Sequence, residues 1–263
     1  MADYIDVHAH LTGEEYESVG GVEAVLERAR AAGVTRVICS GYDLPSSYQA
    51  AALAEKYEGV YFTAGFQPEE IEDVDESEVD GLKPLLSHEK CVGVGELGLD
   101  YHFPDNPSAE KQKAFFVRQL TLADEAGLPV VIHSRDACAD TLELLEKYRD
   151  KLKAGFLMHC YSYSAECVRE FARLGGYFSF GGTSTFKNAK KVKEAAKLVA
   201  AERILTETDC PYLTPEPYRG RFPNEPKNVK HVLKNLAVLR EENEEELKTR
   251  VCKNAETLFF KLK

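Results

Sequence analysis

Short apolar, β-branched runs alternate with longer amphipathic stretches rich in Ala, Glu, Lys and Leu from one end of the chain to the other. The short runs have the length and the Gly and Pro borders of strands, and the long ones carry the three-to-four spacing of helices. The pattern predicts strands over Tyr4–His8, Thr35–Cys39, Val60–Phe66, Cys91–Glu96, Pro129–His133, Gly155–His159, Tyr177–Phe180 and Arg203–Glu207. Helices are predicted near Val22–Ala32, Ser46–Tyr57, Val79–Ser87, Ala109–Ala126, Ala137–Tyr148, Ser164–Leu174 and Asn188–Ala200, then Val229–Arg240 and Glu244–Phe260. Eight strand–helix units with one helix to spare predict an α/β fold, a (β/α)8 TIM barrel with an additional C-terminal helix. Ala32-Gly33, Ala126-Gly127 and Leu174-Gly175-Gly176 supply the left-handed caps on which helices end. No Ser/Gly-rich linker, low-complexity tract or longer repeat interrupts the rhythm, so a single domain over residues 1–263 is the simplest account. The longest irregular stretches, Gln67–Asp75, Tyr101–Pro107 and Cys210–Pro226, each follow a strand and are expected to roof the barrel's functional face.

Composition narrows the partners. Against 33 Lys and Arg stand 44 Asp and Glu, a net charge of −11, which argues against a broad surface that coats DNA without specificity. With 44% apolar and 29% charged residues the chain reads as a globular protein, and no apolar run approaches the roughly 18 residues of a membrane span. The first residues carry neither a basic stretch nor a long apolar one, so a cytoplasmic location is the expectation. Seven cysteines without a C-x-x-C pair fit reduced thiols better than a disulfide framework or a thiolate zinc site.

The chemistry collects at strand ends. His8 and His10 follow the first predicted strand, Glu96 the fourth, His133 the fifth, His159 the sixth and Asp209 the eighth. In a barrel all strand C-termini open on one face, so residues two hundred positions apart can meet in one bowl. The period of two in His8-Ala9-His10 turns both imidazoles to the same side, and Asp6 shares that parity. An H-x-H pair by itself is more often packing or surface. The full set is different, because buried ionised carboxylates such as Glu96 and Asp209 are costly without a cation. Six N and O donors exceed the three or four protein ligands of one catalytic zinc, which points to two ions sharing Glu96. Imidazole-rich coordination favours zinc, manganese, cobalt or nickel over magnesium.

Four ordered motifs surround these residues: Asp6-Val7-His8-Ala9-His10-Leu11, Gly95-Glu96-Leu97-Gly98-Leu99-Asp100-Tyr101, Val131-Ile132-His133-Ser134-Arg135-Asp136-Ala137 and Glu207-Thr208-Asp209-Cys210-Pro211-Tyr212-Leu213. With Leu157-Met158-His159-Cys160 and the late Arg219-Gly220-Arg221 and Asn224-Glu225-Pro226, the chain resembles the TatD-type metal-dependent deoxyribonucleases over essentially its whole length. The resemblance implies an amidohydrolase-like barrel with one ion on His8, His10, Glu96 and Asp209 and a second on Glu96, His133 and His159. It also implies hydrolysis of DNA phosphodiester bonds, in some members as a 3′ exonuclease on single strands. The sequence departs from the family at Gly65-Phe66-Gln67-Pro68, where Gly-x-His-Pro is usual, and at Tyr161-Ser162-Tyr163. Gln67 therefore bears on phosphate contacts or a supplementary ion site.

Several further residues have two readings. His102 can meet a substrate phosphate or a leaving oxygen, or be solvated in its loop. Arg135 can fork a phosphate, or pair with Asp136 or Glu143. Arg219 and Arg221, with Asn224 and Lys227, form the basic patch of a functional-face loop, or an ordinary surface loop. Cys160 and Cys210 each follow a proposed ligand, but adjacent strand positions face opposite ways, so packing is expected. His88 and His231 read as structural, and the acidic run from Glu241 to Glu246 as the opening of the last helix.

The expected activity is hydrolysis of DNA at single-stranded ends by a two-metal-activated water, with Asp209 as proton acceptor while Glu96 bridges. DNA is the expected partner, with no membrane and no obligate protein partner. The alternative on the same scaffold is an amidohydrolase or esterase acting on a small metabolite, since barrel and metal cluster do not dictate the bond.

Overall fold

The computed structural model describes residues 3–262. Eight parallel strands form one sheet in consecutive order: β1 (Tyr4–Ala9), β2 (Val34–Ser40), β3 (Val60–Ala64), β4 (Cys91–Asp100), β5 (Val130–Arg135), β6 (Phe156–Met158), β7 (Tyr177–Phe180) and β8 (Ile204–Thr206). The ring meets itself between β8 and β1, where Asp209 N donates to His8 O at 3.0 Å and His10 N to Cys210 O at 2.7 Å. Helices α1 (Gly21–Ala31), α2 (Leu44–Lys56), α3 (Lys83–Leu86), α4 (Ala109–Ala126), α5 (Cys138–Lys147), α6 (Ala165–Arg173), α7 (Lys190–Leu198) and α8 (Val229–Arg240) follow the strands in turn. The spare helix is α9 (Glu244–Leu258). This is the (β/α)8 barrel that the alternation predicts. Among the described residues, no helix is long and apolar enough to cross a membrane.

Local chemistry sets the element ends. Asp43 accepts from Ser46 N to open α2, Ser108 from Lys111 N to open α4, and Asn243 from Glu245 N and Glu246 N to open α9. The three carboxylates Glu244, Glu245 and Glu246 occupy the first turn of α9, as expected for the positive end of a helix dipole. Gly33, Gly127 and Gly175 all take left-handed φ values just beyond α1, α4 and α6.

Two elements differ from expectation. The predicted helix Val79–Ser87 is a 3-10 segment, Glu76–Leu82, followed by the single turn α3. Gly81 and Pro84 lie inside it, and both oppose a continuous α-helical hydrogen-bond ladder. Strand β4 runs four residues past its predicted end, so Glu96 lies mid-strand rather than after it. Gly98 explains the extension: a Cβ there would come within 1.8 Å of His133 O, so the glycine permits close approach of β5 rather than a turn. The β4–β5 register shifts between Val94 and Leu97, and Glu96 sits in that irregularity, which frees its side chain from strict alternation.

Candidate metal centre

The C-terminal ends of β1, β5 and β6, the middle of β4 and the turn after β8 bring the six proposed ligands together. His8 Nε2 and His10 Nε2 lie 3.2 Å apart, confirming their shared side. Both face Glu96 Oε2, at 3.3 and 3.4 Å, and Asp209 Oδ1, at 3.7 and 3.5 Å. Glu96 Oε1 faces the other pair, with His133 Nδ1 at 2.9 Å and His159 Nε2 at 2.8 Å. One carboxylate therefore presents one oxygen to each pair of imidazoles. Three overlapping groups have ligand atoms within 4.8 Å of one another: His8, His10 and Asp209; Glu96, His133 and His159; and His8, His159 and Glu207.

The outer hydrogen bonds decide which lone pairs point inward. His10 Nδ1 lies 3.0 Å from Ser40 O, an acceptor only, so the neutral ring carries its proton there and turns a bare Nε2 to the centre. His133 Nε2 lies 2.9 Å from Asp100 Oδ2, which leaves Nδ1 as its inward donor. These are the outer partners that metal-ligating imidazoles use to fix tautomer and orientation. Glu96 Oε2 is buried without a hydrogen-bond partner, a costly state for a carboxylate oxygen that coordination to a cation would relieve. On donor type, orientation and this orphaned oxygen, the residues fit divalent metal.

Without a cation the cluster holds protons in its place. Burial disfavours the charged form of His133, but Asp100 and Glu96 outweigh it and push the ring up to about 9. His159 is likewise raised against burial by Glu96 and Glu207. Burial also opposes ionisation of Glu96 and Asp209, yet the surrounding imidazoles hold both below the usual carboxylate range. His8 goes the other way, lowered first by burial and then by His159.

Two carboxylates of this site were not singled out from sequence. Asp100 closes the hydrogen bond to His133 and also accepts from His102 N at 2.8 Å. Glu207 is fully buried, accepts from Cys160 N and Ser179 Oγ at 2.6 Å each, and stands 3.8 Å from His159 Nδ1. The available signals were Asp100 within the Gly98-Leu99-Asp100 motif and the two-residue spacing of Glu207 and Asp209. Asp6, despite its parity with His8, accepts from Thr208 N and Oγ1 instead. The thiols of Cys160 and Cys210 are pushed up, first by burial and then by nearby carboxylates.

The proposed substrate residues are spread over the loops of the same face. His102 Nδ1 lies 2.8 Å from Asp136 Oδ2. Arg135 pairs with neither carboxylate expected of it and places its guanidinium 4.9 Å from the Phe103 ring centre. Gln67 is half-buried, its backbone N donating to Tyr42 O at 2.8 Å. Arg219 and Arg221 are exposed and lie over the rings of Phe186 and Tyr218 at 4.0 and 4.8 Å. The patch drawn around them is smaller than expected: Lys227 pairs with Glu225 at 2.9 Å, and Asn224 is fully buried.

Asn224 is a brace. Its Nδ2 donates to Thr208 O at 3.1 Å and Tyr212 O at 2.7 Å, while Oδ1 accepts from Glu225 N and Asn228 Nδ2 at 2.9 Å each. Asn224→Ala leaves several buried partners unsatisfied and should destabilise the protein by about 1–3 kcal/mol. Urea unfolding at fixed metal concentration measures it; a loss below about 0.5 kcal/mol, the range of an ordinary surface change, would contradict the bracing role.

Comparison with known proteins agrees with this architecture. The family model described as TatD related DNase matches residues 5–260. A Bacillus subtilis protein named uncharacterized metal-dependent hydrolase YabD is 42% identical over 97% of this chain and 98% of its own. The 3′-5′ ssDNA/RNA exonuclease TatD of Cronobacter sakazakii is 34% identical, with 97% of each chain covered. The crystal structure of the TatD homologue YJJV from Escherichia coli K12 superposes with a TM-score of 0.91 at 30% identity, covering 98% of each chain. The chain belongs to the TatD-related DNase family.

Proposed function

We propose that this protein is a divalent-metal-dependent hydrolase of phosphodiester bonds, acting on single-stranded nucleic acid from its 3′ end. The observation that carries the reading is Glu96, whose two oxygens face two separate groups of inward-turned donors. His8, His10, Glu96 and Asp209 would hold one ion; Glu96, His133 and His159 would hold the other. Two such ions, when bound, lower the pKa of water and neutralise charge on the phosphate. Asp209 takes the proton of the attacking water, because its carboxylate is held ionised at neutral pH and keeps some solvent exposure. As the water oxygen bonds to phosphorus, the bond to the leaving sugar oxygen breaks, and that oxygen takes up the proton Asp209 received or an equivalent one from solvent. Glu96 is more deeply enclosed and would be shared between the two sites. Asp100 orients His133 at 2.9 Å, and Glu207 stands as a charge 3.8 Å from His159. The names of relatives support the chemistry, the Cronobacter protein being called an exonuclease of single-stranded DNA and RNA.

A metal-by-substrate screen on chelator-stripped protein tests the reading. Divalent cation should restore release of mononucleotides from the 3′ end of a single-stranded oligonucleotide, with duplex cut more slowly. Hydrolysis of small amides or esters with no cleavage of any nucleic acid would transfer the protein to the alternative class.

A further inference from the structure

Among the described residues, five aromatic side chains are exposed: Tyr48, Phe103, Tyr212, Phe222 and Phe260. Three of them, Phe103 at 46%, Tyr212 at 52% and Phe222 at 61% exposure, stand on the loops after β4 and β8, the elements that deliver Glu96 and Asp209. Single exposed rings are ordinary on protein surfaces. These are distinguished by how they are held.

Tyr212 and Phe222 form a pair with ring centres 6.3 Å apart and planes tilted by 41°. Both are tied to the metal-side segment: Tyr212 N donates to Asp209 O at 3.0 Å, and Asn224, two residues past Phe222, grips Thr208 O and Tyr212 O. This ledge stands on the His10–Asp209 side. On the other side Phe103 lies between His102, edge-on at 4.9 Å, and the Arg135 guanidinium at 4.9 Å. Arg135 follows His133 by two residues on β5, and His102 follows Asp100 by two after β4. The loops that follow β4 and β8 thus each carry a braced aromatic surface.

Charge determines what such surfaces can recognise. A net charge of −11 argues against a broad surface that attracts a polyanion, so affinity from an extended phosphate track is not expected. Uncharged base faces remain available, and they stack on aromatic rings and guanidinium planes with little regard to sequence. In a duplex those faces are already stacked on each other; in a single strand they are free.

We propose that Tyr212–Phe222 and Phe103–Arg135 are two base-stacking ledges that seat nucleobases on either side of the cleavage centre and select single-stranded ends of any sequence. This assignment rests on the nuclease reading above and names the substrate-recognition surface of that same site.

The test uses metal-loaded protein and two single-stranded oligonucleotides, one with 2-aminopurine as its 3′-terminal base and one ending in an abasic nucleotide, each also prepared with a non-hydrolysable terminal linkage. Wild-type protein should quench the 2-aminopurine emission and bind the base-bearing end about 5- to 100-fold more tightly than the abasic one, the range for loss of one stacked base. Phe222→Ala and Phe103→Ala should each reduce that ratio, chiefly through KM, while Phe222→Tyr restores it. Both rings are exposed, and unchanged metal content and melting temperature report the fold. Quenching and a base-to-abasic ratio equal to wild type in both alanine variants would overturn the ledges. Wild-type protein that binds and cleaves neither oligonucleotide would instead overturn the nuclease reading, so the two failures are distinguishable.

Discussion

Asp209→Asn should lower turnover of a single-stranded oligonucleotide by about 10²–10⁴-fold, the loss typical of a missing general base. Asparagine isolates the proton-accepting function. Asp209 has a left-handed backbone, φ 53°, which Asn tolerates as well as Asp, so the turn after β8 should survive. The amide oxygen still presents a donor toward His8 and His10, so some ion binding is retained. What disappears is a carboxylate that imidazole contacts hold ionised despite its burial, and with it the acceptor for the water's proton. Turnover at matched metal content, measured by elemental analysis of the same samples, is the decisive quantity. A variant within about threefold of wild type, far inside the general-base range, would remove Asp209 from that role.

Much of this barrel is legible in the chain because local and global signals agree. α4 and α8 have the ends expected of them, since Ser108 and Gly127 punctuate one and a left-handed Glu241 follows the other. Strand β4 passes its predicted end for a physical reason: Gly98 in the sheet removes a side chain that would strike His133 O. The first coordination set was legible because barrel geometry makes strand ends converge. Its support was not: Asp100 meets His133 only through the β4–β5 register, in which Asp100 stands opposite Arg135 and Gly98 opposite His133. Glu207 similarly acquires its role from Cys160, whose left-handed φ of 42° accompanies an amide directed at that carboxylate. The loop cations were visible as charges, but their seating on Phe103, Phe186 and Tyr218 depends on loop paths that the strand–helix rhythm does not specify.

Metal loading should release protons, and affinity for the ion on the His133 side should rise steeply with pH. An imidazole coordinates only as the neutral ring, so any proton held by a ligand must leave as the ion enters. Against burial, Asp100 and Glu96 raise His133 to about 9, and Glu96 and Glu207 raise His159 in the same direction. Both rings are therefore shifted toward the protonated form in the metal-free protein. Below the raised pKa values each displaced proton makes affinity increase about tenfold per pH unit, and above them that dependence vanishes. The expected profile climbs between pH 6 and about 9 with a slope between one and two, then flattens as His133 loses its proton unaided. His8 works in the opposite sense, since burial and its imidazole neighbours lower its pKa and leave it already neutral. The ion on the His8–His10 side should consequently show a shallower slope, set by His10, whose pKa is raised against burial by Asp209 and Glu96. Calorimetric titration of zinc or manganese into chelator-stripped protein, repeated in buffers of different ionisation enthalpy, counts the protons directly. Release of at least one proton per ion at pH 7 on the His133 side is the expected result. Asp100→Asn should reduce that number by removing the carboxylate at His133 Nε2. Proton-free binding with a flat pH profile would show that His133 and His159 are neutral before the ion enters, and would overturn the proton-linked loading expected on that side.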